Sequence, residues 1–397
     1  MRDQDILLSK DSNVGECAIV DGDNWKHHTF SGGIVRLNPS FDRYYLFSFL
    51  KHELFRTQIL AKIPRGATIK HAKGLWLDCL IPFPNQGDAD RVVRYVSVIM
   101  QAIVDKEKEI KAKHDRMTQS IEQELFNNQD PTATFTYHEP TIHEIRKLGR
   151  LDASMYAQDF KSKYFRVTNY RHGYTAYKDL GFSVGRGQNL QISSIGKSVY
   201  SEIEKPNFYR LMLPKHITEY GTVSRYQWLG NKRDLATLSK GDVVFGGEAT
   251  FRCIVICDSA QAVPTISNIH AIILRSTSIP MYRKVFIGAW LRFLGRWGFS
   301  RAMAVGGQGG SLAIKYFQQL IFPDFPSEKQ VEIAELYHNP SPPPGTSLTL
   351  TNFVDWHRQW NTNLSIWELD HEMKILQQLL ADVQERIIQG QEVRVPL

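Results

Sequence analysis

This chain repeats itself, and the repeat limits its fold more than any bulk property does. The run DQDILLSKDSNVGECAIV (residues 3–20) and the run KGDVVFGGEATFRCIVI (residues 240–256) share one plan. Each has an aspartate, Asp5 or Asp242, opening a β-like run, then a polar loop, then a second β-like run. SGGIVRL (31–37) is matched by SNIHAIIL (267–274), and Asp5 to Leu37 and Asp242 to Leu274 are both 32 residues. Amphipathic helical patterns follow, YYLFSFLKHELFR (44–56) and VFIGAWLRFLGRW (285–297). From Tyr45 to Gly66 is 21 residues, as it is from Phe286 to Gly307. Each copy leaves through a glycine-bearing turn, a short apolar strand and prolines, LIPFP (80–84) and LIFPDFP (320–326). Order, spacing and exits agree over about 80 residues, more than chance likeness between two α/β segments supplies.

Each copy leads on to a helix with heptad character. In the first, expected over residues 91–126, Val96, Ile103, Ile110 and Met117 recur every seven residues, with Ile99 and Ile121 helping to fill the second seam position. The stretch VDKEKEIKAKHDR between them is almost wholly charged. One apolar stripe on a charged helix buries poorly in a globular core and suits a partner helix. At about 1.5 Å per residue such a helix spans roughly 50 Å. In the second, Ile366, Leu369, Met373, Leu376, Leu380, Val383 and Ile387 step by alternating threes and fours, and Gly390 stands as a stop. Either stripe alone also fits a helix lying on a domain surface; two in one chain favour mutual packing, most simply as an antiparallel pair. Linkers read from composition are NNQDPTATFTYHEP (127–140) and the Pro-rich NPSPPPGTSLTLTN (339–352). Trp356, Trp360 and Trp367 read as packing residues where the second helix docks, with a partner interface as the weaker option.

The expected architecture is therefore two α/β (α+β) domains, each followed by a long helix. The divisions are a partial first domain (1–86), its helix (87–130), a linker (131–147), a second domain (148–335), a Pro-rich linker or insert (336–362) and the second helix (363–391). The second copy extends back to about Leu148, whereas the first begins inside the repeated run. The expectation is a first domain that is truncated or completed by another polypeptide.

Charge narrows the class of partner. The chain carries +7 overall, but residues 150–330 hold 24 Lys and Arg against 12 Asp and Glu, a net +12, which leaves −5 for the rest. Such a field is either a solvated surface or a phosphate-binding face; the interleaved aromatics favour the second. The four cysteines (Cys17, Cys79, Cys253, Cys257) make no disulfide framework, and no Cys or His cluster completes a zinc tetrad. Cys253 and Cys257 read as buried small hydrophobes in a reducing compartment. With no signal peptide and no apolar run of about 18 residues, the expected location is cytoplasmic. Enzymatic signatures are absent: no Walker A sequence, no Asn/Asp-Pro-Pro-Tyr/Phe methyltransferase motif, no glycine-rich cofactor loop after an N-terminal strand. Glu109–Lys111 mimics the tail of a nuclease motif but falls on the charged face of the first helix, and PDFPSEK (323–329) has the wrong spacing for one. Gly306, Gly307, Gly309 and Gly310 lack the Gly-Lys-Ser/Thr that would make them a phosphate cradle, so they read as a turn before a strand.

In combination these features resemble the specificity subunit of type I restriction–modification systems. RLDASMY (150–156) looks like the opening of a target-recognition domain, LSKGDVVF (238–245) like its mid-domain strand entry, and GGSLAIKYFQQLIFPDFPSEKQ (309–330) like its closing strand and following helix. DKEKEIKAKHDRMTQSIEQEL (105–125) looks like the first spacer helix. The incomplete first domain and the long insert at about 338–362 depart from the pattern. The resemblance implies two recognition domains that each read half of a split site on double-stranded DNA, with helices paired as an antiparallel coiled coil that spaces them. It implies no catalysis in this chain. It implies as partners two DNA methyltransferase (modification) subunits and a restriction/translocase subunit, which alone would carry S-adenosylmethionine, ATP and Mg. A half-specificity or assembly subunit that needs a second chain is the alternative.

Reading DNA needs side chains that hydrogen-bond base edges and cations that meet phosphates. The densest such stretch is NYRHGYTAYKDLGFSVGRGQNL (169–190), which supplies Arg171, Tyr174, Lys178, Arg186, Gln188 and Asn189 as candidates. YQWLGNKR (226–233) adds Lys232 and Arg233, and the first copy offers KDSN (10–13), with Lys10 and Asn13, and the KHH run at 26–28. The plainer view of each is an exposed loop residue without base contact.

Overall fold

A computed structural model describes residues 1–20, 22, 25–64, 71–248, 251–258, 263–306 and 310–396. The spacing glycines Gly66 and Gly307, and Gly309 of the glycine run, lie outside the described residues. The chain divides into two units. The first comprises residues 1–109, 341–363 and 369–397, the second residues 110–340 and 364–368.

The first unit opens with strands β1 (Ile6–Ser9), β2 (Cys17–Ile19) and β3 (Ile34–Leu37), an antiparallel sheet in the order β2-β1-β3. Ile6 and Leu8 alternate inward on β1 and are fully buried. Helices α1 (Arg43–Lys51) and α2 (Glu53–Lys62) follow. Asp42 caps α1 by accepting the Tyr44 and Tyr45 N–H groups. Buried Tyr45 and Phe49 anchor α1 in the core, each side chain contributing about 1.5–3 kcal/mol of hydrophobic stabilisation. Helix α3 (Ala89–Asn127) is 39 residues long and contributes residues 89–109 here.

The second unit holds the rest of α3, then α4 (Ile142–Leu148), α5 (Gln158–Thr168), β4 (Tyr174–Ala176), β5 (Ser183–Arg186), α6 (Ile192–Ile195), β6 (Val199–Ser201), β7 (Tyr209–Met212) and β8 (Gln227–Gly230). There follow β9 (Val243–Gly246), β10 (Cys253–Val255), β11 (Thr265–Ser267), β12 (Ala271–Arg275), α7 (Met281–Arg296), α8 (Phe299–Met303), α9 (Ile314–Phe317), β13 (Ile321–Pro323) and α10 (Ser327–Tyr337). One four-stranded sheet has the order β10-β9-β12-β5, another β11-β7-β8-β6, and β13 pairs β4. Helix α7 is buried nearly all round, from Lys284 to Leu294. Gly288 and Gly295 permit this, because a Cβ at either would collide with Val255 or with the Phe251 carbonyl. Trp290 donates its indole N–H to the Ile321 carbonyl at 3.0 Å. Back in the first unit lie α11 (Phe353–Asn363) and most of α12 (Ile366–Ile388).

The repeat read from sequence is a repeat of strand register. Strand β1 pairs Ile6 with Leu37 and Ser9 with Ile34; β9 pairs Val243 with Leu274 and Gly246 with Ala271. The turns ahead of the two strands also coincide. Asp5 accepts the Arg2 N–H at 2.8 Å and faces Arg36 at 3.5 Å. Asp242 accepts the Ser239 N–H at 2.9 Å and the Arg275 guanidinium at 3.1 Å. The residue before each aspartate is left-handed, Gln4 at φ 62° and Gly241 at φ 84°. After β1 the Ala72 N–H donates to Lys10 at 2.7 Å; after β9 the Leu312 N–H donates to Gly247 at 2.7 Å.

The two long helices pair antiparallel within the first unit. At one end the Gln86 side-chain amide exchanges two hydrogen bonds with the Val393 backbone, at 3.0 and 2.8 Å. Further along α3, Lys106 is coupled electrostatically to Glu372 near the start of α12, so the chains run oppositely. Val96, Ile99 and Ile103 of α3 and Leu376, Leu380, Val383 and Ile387 of α12 are buried in one core, with Met373 packed against it. Leu369 is fully buried as well. Gly390, at φ 66°, ends α12 as expected, its N–H donating to Ile387 at 3.1 Å. The lower seam has a different cover. Ile110, Met117 and Ile121 are buried within the second unit, where Met117 Sδ lies 3.6 Å from the Arg292 guanidinium and Ser120 donates to Glu332 of α10 at 2.9 Å. Ile366 is also buried in the second unit, and Ser365 Oγ donates to the Glu335 carbonyl of α10.

The stretch read as a Pro-rich insert is irregular only in part. Residues 353–363 form α11, because Phe353, Trp356, His357 and Trp360 recur at helical spacing and share one face. Arg358 binds Asp105 of α3 at 2.7 Å. Two tryptophans there place their indole N–H, Trp356 on Thr346 and Trp360 on Ser341, and Trp367 of α12 places its own on Asp258. No helix among the described residues is long and apolar enough to cross a membrane.

Candidate nucleic-acid interface

Four of the candidates come together at one corner of the second unit. Strand β5 ends at Arg186, and Gly187 then passes so close to β11 that a Cβ would run into the Asn268 carbonyl oxygen. The Gln188 N–H donates to Ser267 at 2.7 Å, and its side-chain oxygen accepts the Ala236 N–H at 3.3 Å. Asn189 accepts the Gln191 N–H at 3.1 Å at the start of α6. The last turn of α6 meets the 230–236 loop, where the Arg233 guanidinium donates to the Ser194 carbonyl at 2.8 Å. Asn231 braces both sides, accepting the Arg233 N–H at 2.8 Å and donating to Ser198 Oγ at 2.8 Å. Lys232 and Arg233 are exposed; Gln188 and Asn189 are half-buried. A cavity of about 590 Å³ opens beside them, lined by Lys205, Asn207, Tyr209, Lys232 and Arg233 among others. Amide groups and exposed cations on one braced corner are the donor and acceptor set that reading a polyanion requires.

The remaining candidates make other contacts. Arg171 is exposed on the turn after α5, its Nε 2.9 Å from His172 Nε2. Tyr174, 42% exposed, sits on β4 opposite Pro323, and Lys178 is exposed on the 3-10 turn that follows. Arg186 is half-buried and donates to the Leu312 carbonyl at 3.1 Å, so it braces the 310–312 segment. In the first unit Lys10 lines a separate cavity, and Asn13 is exposed in the β1–β2 turn.

A cation of the second unit that was not among the candidates is held by aromatic rings. Arg210, opposite Trp228 in register, lays its guanidinium 5.1 Å from the Tyr226 ring and 5.6 Å from the Trp228 ring. The signal was present in the interleaved runs FYR (208–210) and YQW (226–228). Nearby, Arg225 Nε lies 3.1 Å from His216 Nε2. Burial, with Arg225 and Lys215 close by, holds the His216 pKa below its ordinary value. Cys253 and Cys257, read as buried small hydrophobes, are free and buried; burial pushes the Cys253 thiol up to about 12 and the Cys257 thiol well above its usual range.

No family model matches this chain, and no curated protein matches it. Solved structures similar to it include the S subunit of a type I restriction–modification system from M. genitalium, at 12% identity and a TM-score of 0.47, over 98% of this chain and 83% of that one. The HsdS subunit from Thermoanaerobacter tengcongensis is similar at 14% identity and a TM-score of 0.31, over 99% and 82%. A chain from a structure describing complex assembly and conformational transition of the type I R-M system is similar at 14% identity and a TM-score of 0.34, over 99% and 83%.

Proposed function

We propose that this chain is a specificity subunit of a type I restriction–modification complex, a non-catalytic reader of duplex DNA. The observation that carries the reading is the register-level repeat: the same three-stranded module occurs twice, and each copy leads into one member of an antiparallel helix pair. A duplicated module on a helical frame suits recognition of a two-part site. The second unit is the main reader, because the chain's positive excess lies there and its braced corner presents Gln188, Asn189, Lys232 and Arg233. The helix pair serves as spacer and as docking element for two methyltransferase subunits, with a restriction/translocase subunit joining the assembly. S-adenosylmethionine, ATP and Mg belong to those partners.

The test is binding of the full chain, with cognate modification subunits, to a randomised duplex library at several salt concentrations. Sequence-selective binding that weakens steeply with salt supports the proposal. Binding without sequence preference overturns it.

A further inference from the structure

We infer that the outer edge of β3 is a docking site for an extended strand of a separate polypeptide, with an acidic side chain opposite Val35. The inference rests on the internal repeat and stands whether or not the chain reads DNA. In the second copy, the strand equivalent to β3 is β12, and its outer edge is filled by β5, antiparallel, with Arg186 opposite Ile272 and Gly185 opposite Ile273. The Gly187 N–H closes that edge on the Ala271 carbonyl at 3.1 Å. In the first copy, β3 ends its sheet, and among the described residues no strand pairs with its outer side. Its positions Ile34, Val35 and Arg36 correspond to Ala271, Ile272 and Ile273. An open, largely apolar strand edge is a template for pairing.

Register fixes which incoming side chain matters. Residues directly opposite each other in a sheet share a face, so the residue facing Val35 occupies the position that Arg186 holds against Ile272. Val35 lines a cavity of about 560 Å³ together with Lys10, Asp11, His71, Lys73 and Leu77. In the second copy the residues at Lys10 and Lys73 are Gly247 and Ala313, and Arg186 supplies the cation there. The first copy has moved positive charge onto its own walls. Asp11 is already engaged by His71 at 2.9 Å, whereas neither lysine has an ion-pair partner among the described residues. The cavity therefore complements a carboxylate where β5 carries an arginine. The apolar neighbour agrees: Leu77 is 69% exposed, while its counterpart Phe317 is 0% exposed, with the Tyr177 ring 5.3 Å away.

The probes are two synthetic peptides added to the full chain, GFSVGRGQN (the sequence of residues 181–189) and the same peptide with the Arg186→Glu change. Hydrogen exchange is followed in fragments spanning Ile34–Leu37. The expected result is tighter binding of the glutamate peptide, by about fivefold, and about tenfold slower exchange at Arg36, whose N–H faces the outer edge, when peptide is at ten times its Kd. Reversing the cavity charge with Lys10→Glu and Lys73→Glu should reverse the preference, which a merely sticky edge would not do. No protection of β3, equal binding of both peptides, or a self-dimer that buries β3 without peptide would overturn the inference.

Discussion

Replacing Lys106 with methionine should stabilise the first unit at neutral pH, and the gain should vanish as pH rises. Lys106 is 0% exposed, between the paired helices and α11. Its ammonium donates to Asn361 Oδ1 at 2.7 Å and lies 5.4 Å from the Trp360 ring. Burial pulls its pKa down to about 8, against the pull of Glu372 in the other direction. Burial likewise pushes the Glu372 carboxyl up, so the pair does not recover its desolvation cost. With a depressed folded pKa, the folded state holds this proton less tightly than the unfolded state. Below about pH 8 both states are charged and the full penalty, about 3 kcal/mol, is present. Between about pH 8 and 10.5 the unfolded chain keeps a proton that the folded chain has lost, and stability rises by up to about 1.4 kcal/mol per pH unit. Lys106→Met removes the penalty and leaves Asn361 short of one hydrogen bond, which costs about 1–2 kcal/mol. The variant should be more stable by about 1–2 kcal/mol at pH 7, and the difference should shrink and reverse by about pH 10. Urea unfolding of both proteins at pH 7, 8, 9 and 10 reads this. A less stable variant at pH 7, or a difference that does not move with pH, would refute the reasoning.

Three further outcomes are expected. Burial and Lys106 hold His357 down to about 3, so stability should fall as pH drops from 6.5 towards 3, where the unfolded imidazole takes a proton that the folded one refuses; acid titration of unfolding for the chain and for His357→Phe should show a flatter limb in the variant. Gly241→Ala should cost about 1–2 kcal/mol because the position is left-handed at φ 84°, whereas Gln4→Gly at the equivalent turn should be neutral or stabilising; thermal unfolding distinguishes them. Lys232→Ala, Arg233→Ala and Arg171→Ala should each weaken DNA binding and lower the salt slope by about one, while Arg186→Ala, which loses a bond to Leu312, should lower stability by about 1 kcal/mol.

The parts of the fold that depend on local spacing were legible in the sequence. The 32-residue interval between Asp5 and Leu37 matched that between Asp242 and Leu274 because both pairs bracket the same antiparallel pairing, Ile6 with Leu37 and Val243 with Leu274. The heptad stripe of α3 was legible as apolar, but a stripe does not say what covers it. Its upper half packs with α12 and its lower half, at Met117, meets Arg292. Helix α11 was hidden behind a proline run, although its aromatic spacing was readable. Lys106 was invisible within a charged run, since burial of one lysine among many is decided by the fold. The candidate site was half legible. Composition found Gln188, Asn189, Lys232 and Arg233 in two separate segments, and only tertiary structure joined them through Ser194 and Ala236. Composition also offered Arg186 as a DNA-binding candidate; the fold half-buries it and gives it a hydrogen bond to the Leu312 carbonyl. Arg210 was missed because its aromatic partners, Tyr226 and Trp228, lie on a neighbouring strand and the loop before it.

The proposed role stands or falls on selection of a DNA sequence by this chain. Selection of duplexes from a randomised library by the chain with its modification subunits, followed by sequencing of the bound fraction, tests that most directly. Enrichment of a defined motif is expected, with the preference for one part of it lost when Gln188 and Asn189 are both replaced by alanine. A bound fraction as random as the input, at salt concentrations where binding is still saturable, would contradict it.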